Sequence, residues 1–229
     1  MNAFAKVADG LAGWLTFELR CRRQALFREA LLAHPLSQLL AAQFPGRVLT
    51  EVTHPVLAKL QLGPGRKKAV DFVVRAADGK PSAVVETKWA SSSPTLLRDL
   101  LRDIVRLDLL VPSVAQEGLL VLAGVKRDLD RLFASPAFLP HPAHLGSKTL
   151  LPVGSHGKFS VRFHPASAFR RRFFGRVLQP FADIPVSSSI VIERSGPFPR
   201  DANLEHGEVY IWRLRKRDAP TFLPGEYFD

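Results

Sequence analysis

The chain has a single cysteine, Cys21, among its 229 residues. One thiol excludes an internal disulfide framework and a cysteine-based zinc site, and it fits a reducing compartment such as the cytoplasm. No uninterrupted apolar run approaches the roughly 18–20 residues that a membrane span needs. Residues 1–13 lack the basic start and apolar core of a signal peptide. A cytoplasmic protein without membrane contact is therefore expected. Acidic residues are the other shortage: 21 Asp and Glu stand against 32 Lys and Arg, for a net charge of +11 and a pI near 10.4. Such an imbalance favours a polyanionic partner, nucleic acid or an anionic surface. There is no internal repeat and no long low-complexity linker. With 46% hydrophobic and 23% charged residues the chain can bury a proper core. Its length suits one large domain, or one domain with a substantial extension.

Residues 11–43 have helical character, with Trp14, Leu15, Leu19, Leu26, Ala30 and Leu31 recurring at three- and four-residue steps. Pro35 is expected to end or kink the first piece, with 36–43 continuing as a second. Arg20, Arg22, Arg23 and Arg28 make one side basic, which reads as a solvated face. After Phe44-Pro45-Gly46, residues 47–53 read as a first strand containing Glu51, and 57–62 as a short strand or strand extension. Two aliphatic runs follow, 69–74 and 83–89, separated by the turn Asp78-Gly79-Lys80-Pro81; they read as neighbouring strands. Ser93 and Pro94 are expected to cap a helix over 95–110, with Leu97, Leu100, Leu101, Ile104 and Leu107 as its buried stripe. Arg98, Arg102 and Arg106 run at steps of four on its flank, interleaved with Asp99 and Asp103. They read as an ion-paired solvent face, or, alternatively, one arginine turns toward Glu86 and Lys88. Residues 118–123 read as a fully buried strand. The helix before it is then a crossover, which makes this strand parallel to 83–89. A further helix is expected over 126–133. Beyond it, 159–163, 188–193 and 209–214 alternate like strands, and 165–178 is a helix candidate.

The charges inside the two apolar runs need a physical reason. Asp71 sits near the start of the first; Glu86 and Lys88, two apart on the second, share one face while Thr87 points the other way. A charge taken out of water there needs a partner or a metal. Two carboxylates from adjacent strands suit a hard divalent cation such as Mg²⁺, and a lysine on the same face can orient a water, take its proton or stabilise phosphorane charge. With the basic surface, these residues point to phosphodiester hydrolysis. His141 and His144, three apart in a Pro- and His-rich stretch, have no carboxylate companions and are a weak metal signal.

Asp71 followed by Glu86-Thr87-Lys88 resembles the Asp…Glu-x-Lys signature of the PD-(D/E)XK, restriction-endonuclease-like nuclease superfamily, with Val70 in place of the signature proline. The order helix, three strands, crossover helix, strand over roughly residues 20–125 is similar to that superfamily's core, and the segment Asp103-Ile104-Val105-Arg106-Leu107 resembles some of its members. The resemblance implies an α/β fold with a restriction-endonuclease-like core in residues 1–147. A basic α+β extension, 148–229, would pack on that core or complete it. It implies a Mg²⁺- or Mn²⁺-dependent deoxyribonuclease, an endonuclease, in which Asp71 and Glu86 bind metal and Lys88 is the catalytic lysine. The superfamily often adds a glutamate from the first helix: Glu29 is the first candidate, Glu18 the alternative, and Glu51 a further metal candidate.

Contacts to nucleic acid are expected from the turn cations Arg66, Lys67 and Lys68, from Arg98 and Arg102, and from Arg170, Arg171 and Arg172, which are interleaved with Phe173 and Phe174. For the last group the preferred reading places Phe173 and Phe174 in the core. Residues 148–229 hold 13 Lys and Arg against 8 Asp and Glu, so net +5 lies there and +6 upstream; the charge is spread and forms no basic tail. DNA is the expected partner, and cutting two strands would suit a homodimer. The alternatives are a catalytically silent nucleic-acid-binding protein on the same fold and a structural or assembly protein whose Glu86 and Lys88 form only an ion pair.

Overall fold

The structure, a computed structural model, describes residues 3–23, 27–60, 69–91, 93, 95–111, 114–135, 150–151, 157–199, 206–215 and 219–228. The turn cations Arg66, Lys67 and Lys68 and the pair His141 and His144 lie outside these residues, as does Pro94.

Two helices open the chain, α1 (Ala3–Arg20) and α2 (Glu29–Gln43). The break falls between Arg20 and Glu29, and Pro35 sits buried inside α2 rather than at its end. The ring costs a backbone hydrogen bond there, but it adds to the buried stripe of Leu32, Leu36 and Leu40. The helical phase restarts after the break. Ala5, Ala8, Leu11, Ala12 and Leu15 form the buried face of α1, while Ala30 is exposed, which a single continuous periodicity does not foresee. Strand β1 (Val48–Thr53) follows. Where 57–62 was expected to extend a strand, Pro55 at the first helical position and His54, whose Nδ1 accepts from Val56 N at 3.2 Å, start a one-turn helix, α3 (Pro55–Ala58).

Strands β2 (Ala69–Arg75) and β3 (Pro81–Trp89), helix α4 (Leu96–Leu110), strand β4 (Glu117–Val125) and helix α5 (Lys126–Phe133) come next. The rest of the described chain comprises β5 (Gly157–Arg162), α6 (Ala168–Leu178), β6 (Val186–Ser187), β7 (Ser189–Phe198), β8 (Gly207–Arg215), β9 (Thr221–Phe222) and α7 (Pro224–Phe228). Seven strands form one mixed sheet in the order β1-β2-β3-β4-β8-β7-β5, and β6 pairs with β9 separately. Only β3 and β4 are parallel; every other neighbouring pair is antiparallel. That one parallel pair is the one joined by α4, as a crossover requires. The protein is thus α/β, with strands from the last third of the chain continuing the same sheet.

Helices cover both faces. One apolar cluster joins α1 and α2 to Phe72, Val74, Val85, Leu119, Val121 and Ile211. The other joins α4, α5 and α6 to Val84, Leu120, Leu122, Tyr210 and Trp212. β4 is buried almost throughout because helices lie above and below it, whereas β7 alternates strictly between half-buried and buried. Close approach at the strand ends needs glycine: a Cβ on Gly124 would lie 2.6 Å from that of Ala90.

Candidate active site

At Asp71 the ladder of β2 lacks a rung toward β1 and has already ended toward β3. Toward β1 the register passes from Thr50↔Phe72 to Val52↔Val70, and Glu51 takes a left-handed backbone with φ of 52°. Toward β3 the pairing begins only at Phe72↔Val85. Beyond that point the Asp71 side chain stands in for the ladder: its Oδ2 accepts from Thr87 N and from Thr87 Oγ1, both at 2.7 Å. A carboxylate therefore holds the two strands where they part.

On β3, Glu86 and Lys88 point to the α4 side. Lys88 Nζ lies 2.9 Å from Glu29 Oε1 and 3.1 Å from Asp103 Oδ2. Arg106 Nη2 lies 2.9 Å from Glu86 Oε1, and Arg106 Nη1 donates to Asp103 Oδ1 at 3.0 Å. Arg106 Nη2 also donates to the Ala69 carbonyl at 2.8 Å, tying α4 to the start of β2. One arginine of the α4 row does turn inward, and it is Arg106. Asp103 comes with it, as a buried member of the cluster rather than part of a solvent face. Its position, three residues after Leu100 and four before Leu107, already lay on the apolar stripe, and that was the available signal.

Glu29 is the first-helix glutamate that reaches the cluster. It lies in the first turn of α2, where a carboxylate is favoured by the helix dipole. Glu18 pairs instead with Arg23 at 2.6 Å on α1's far end. The two do not share a face, because the break between the helices separates them. Glu51 is exposed and stands at the register position opposite Asp71. Side-chain exposure rises from 3% at Glu86 and 5% at Asp103 through 16% at Lys88 to 49% at Glu29, so the cluster opens to solvent on the Glu29 side.

Electrostatics sharpen this picture. Burial, with Asp103 and Asp71 adding to it against Arg106 and Lys88, holds the Glu86 carboxyl well above the usual carboxylate range. Burial also raises Glu29, although Lys88 opposes it. For Lys88, burial works to lower the ammonium, but Asp103 and Glu29 outweigh it and the net displacement is upward. Lys88 is thus firmly a cation. Four carboxylates, Glu29, Asp71, Glu86 and Asp103, face two cations, Lys88 and Arg106. Carboxylates thus outnumber cations by two, and the buried oxygens Glu86 Oε1 and Asp103 Oδ2 meet Arg106 Nη2 and Lys88 Nζ as ion pairs. Oxygen donors with surplus negative charge suit a hard divalent cation. No group of three or more His, Cys, Asp and Glu side chains is assembled as a ligand set among the described residues.

The predicted nucleic-acid contacts divide. Arg102 donates to the Val177 and Arg176 carbonyls at 3.1 and 2.8 Å, so it locks α6 onto α4. Arg171 donates to the Tyr227 carbonyl at 3.0 Å and lies over the Tyr227 ring. Arg98 pairs with Asp99 at 3.5 Å, and Arg170 is half-buried. Arg172 is exposed. Phe174 is buried and Phe173 packs against the core.

A second buried polar group lies on the same face of the sheet. His206 Nε2 is 3.1 Å from Glu208 Oε1, and Tyr210 Oη donates to Glu208 Oε2 at 3.2 Å. Arg194 lies over the Tyr210 ring. Tyr210 pairs across to Leu122, which pairs to Lys88, so the two groups are two strands apart. The chain matches no family model, no curated protein and no solved structure. No helix of the described residues is long and apolar enough to cross a membrane.

Proposed function

We propose that this protein is a metal-dependent nuclease that hydrolyses phosphodiester bonds of DNA, an endonuclease on a restriction-endonuclease-like core. One observation carries the reading: Glu29, Asp71, Glu86 and Lys88, spread over 60 positions of sequence, come together where β2 and β3 part, with more carboxyl groups than cations. Surplus carboxyl groups beside a cation cost stability unless they take up a proton or a metal, and a divalent cation would satisfy them. Asp71 and Glu86, with Glu29 at the mouth, would hold Mg²⁺ or Mn²⁺, which supplies an acidified water and neutralises phosphate charge.

The chain's own groups have separable roles. Lys88, held protonated, offers a cation to a non-bridging phosphate oxygen as charge develops there, and does not serve as the base. Glu29 and Asp103 fix its ammonium from two sides. Arg106 is a positioning residue: it bridges Glu86 and Asp103 and anchors both to the Ala69 carbonyl. The net charge of +11 retains the polyanion.

A second reading, a nucleic-acid-binding protein without cleavage, is favoured by the same ion pairs, because Lys88 and Arg106 already engage Glu29, Glu86 and Asp103. Cleavage of plasmid, single-stranded and branched DNA with Mg²⁺ or Mn²⁺ separates the two. The nuclease reading expects wild-type cleavage that Asp71→Ala, Glu86→Ala and Lys88→Ala each reduce by about 100-fold or more while DNA binding persists. It also expects calorimetric Mn²⁺ binding that Glu86→Ala removes. Absence of wild-type cleavage, with salt-sensitive DNA binding that survives the substitutions, selects the binding protein.

A further inference from the structure

The two chain segments that bring Lys88 and Glu29 to the site also bring two aromatic rings. Trp89 follows Lys88 on β3 and points to the opposite face of the strand; Phe27 lies two residues before Glu29. Their rings pack with centroids 5.2 Å apart and planes inclined at 48°. Together they wall a cleft of about 520 Å³ at the carboxyl ends of β3 and β4. Val125 lies at its floor, and Arg20, Arg127 and Asp128 stand at its rim. Both rings remain half-buried rather than sealed. Arg20, at the carboxyl end of α1, makes no side-chain hydrogen bond or ion pair among the described residues. Arg127 is 63% exposed and among the described residues pairs only with the adjacent Asp128, at 3.6 Å.

Core packing does not account for this combination. A Trp–Phe pair destined for the interior would be closed over, and exposed guanidiniums would not need to stand beside it. The volume falls within the roughly 300–1,000 Å³ typical of small-ligand clefts. Flat aromatic rings with cations at the rim are what an unstacked nucleobase and its flanking phosphate need. A base within a duplex cannot enter, because both of its faces are already stacked.

We propose that the Trp89–Phe27 cleft takes an unpaired nucleobase next to the scissile phosphate, so that the substrate is single-stranded DNA or a duplex with an unpaired position. Trp89 and Phe27 stack on the base, and Arg20 and Arg127 neutralise the phosphate that follows it. This rests on the reading of the Glu29–Lys88 cluster as a phosphodiester site, and its test is made without metal so that the two can fail separately. Full-length protein in EDTA is titrated into a fluorescein-labelled single strand, and into the blunt duplex of the same sequence, with affinity read by anisotropy. The wild type is expected to bind the single strand about tenfold more tightly than the duplex. Trp89→Leu is expected to abolish that preference and leave duplex affinity unchanged, and Trp89→Phe to restore most of it. Arg127→Ala, which removes no packing, is expected to lower single-strand affinity and reduce its log–log salt slope by about one. Equal wild-type affinity for the two probes overturns the proposal, as does a Trp89→Leu protein that keeps the preference. If Trp89→Leu does not fold, an Arg127→Ala protein with wild-type single-strand affinity overturns it. Failure to cleave with Mg²⁺, beside an intact single-strand preference, rejects the nuclease reading alone.

Discussion

Two groups of buried charged and polar side chains lie on one face of the sheet, two strands apart, and they differ in kind. The group on β7 and β8 is closed: Arg194, His206, Glu208 and Tyr210 are each at most 4% exposed. Among the described residues, its Glu208 carboxylate contacts His206 and Tyr210, and the Arg194 guanidinium lies over the Tyr210 ring. The group on β2, β3 and α4 opens at Glu29 and holds four carboxyl groups against two cations. Burial alone is therefore a poor guide to function. What distinguishes the second group is access to solvent combined with more carboxyl groups than cations.

That contrast can be tested by stability as well as by chemistry. The largest stability effect is expected in the closed group. Glu208→Ala leaves His206 and the Tyr210 hydroxyl without their buried acceptor, costing about 1–3 kcal/mol, or roughly 3–10 °C in Tm by calorimetry. A Glu208→Ala protein as stable as wild type would show that the closed group is not structural. A smaller loss, about 1–2 kcal/mol, is expected for Arg102→Ala, which frees two α6 carbonyls. Its DNA-binding salt slope should match wild type; a slope reduced by one would return Arg102 to the phosphate contacts.

The candidate site should respond with the opposite sign. Because Glu86 is raised above its unfolded value, its contribution to stability is fully present below the unfolded carboxylate pKa. That contribution is lost as pH rises through the folded one. Above that folded pKa the ionised Glu86 weighs against folding, so Glu86→Gln should raise Tm more at pH 8 than at pH 4 and, on the nuclease reading, remove cleavage. This is the smallest of the three stability effects and the most diagnostic. A Glu86→Gln protein less stable than wild type at pH 8 would make the Glu86–Arg106 contact a structural ion pair. Stabilisation with loss of function is the usual mark of a site retained for its chemistry.

Much of this arrangement is legible in residue order. The period-two and aliphatic runs place β2, β3 and β4, and the amphipathic stripe of α4 between β3 and β4 makes their parallel pairing all but obligatory. The strand period puts Glu86 and Lys88 on one face. The helical region before β1 is less legible. A 3.6-residue period carried through the break near residues 21–28 puts Glu18 and Glu29 on one face, whereas the break resets the phase and sends them to different partners. Likewise the step of four in Arg98, Arg102 and Arg106 describes a row on a helix. It cannot say that one end of the row meets Glu86, the middle meets α6, and the other end pairs with Asp99.

By itself, then, the sequence determined the α/β alternation, the crossover, the charge surplus and the trio Asp71, Glu86 and Lys88, because each follows from local periodicity or from composition. Only the tertiary structure decided that Glu29 joins them, that Asp103 and Arg106 are buried beside them, and that Trp89 and Phe27 wall a cleft at their edge. Those choices depend on how α2 and α4 seat against opposite faces of the sheet. That seating is set by contacts between residues dozens of positions apart, to which no local pattern is sensitive.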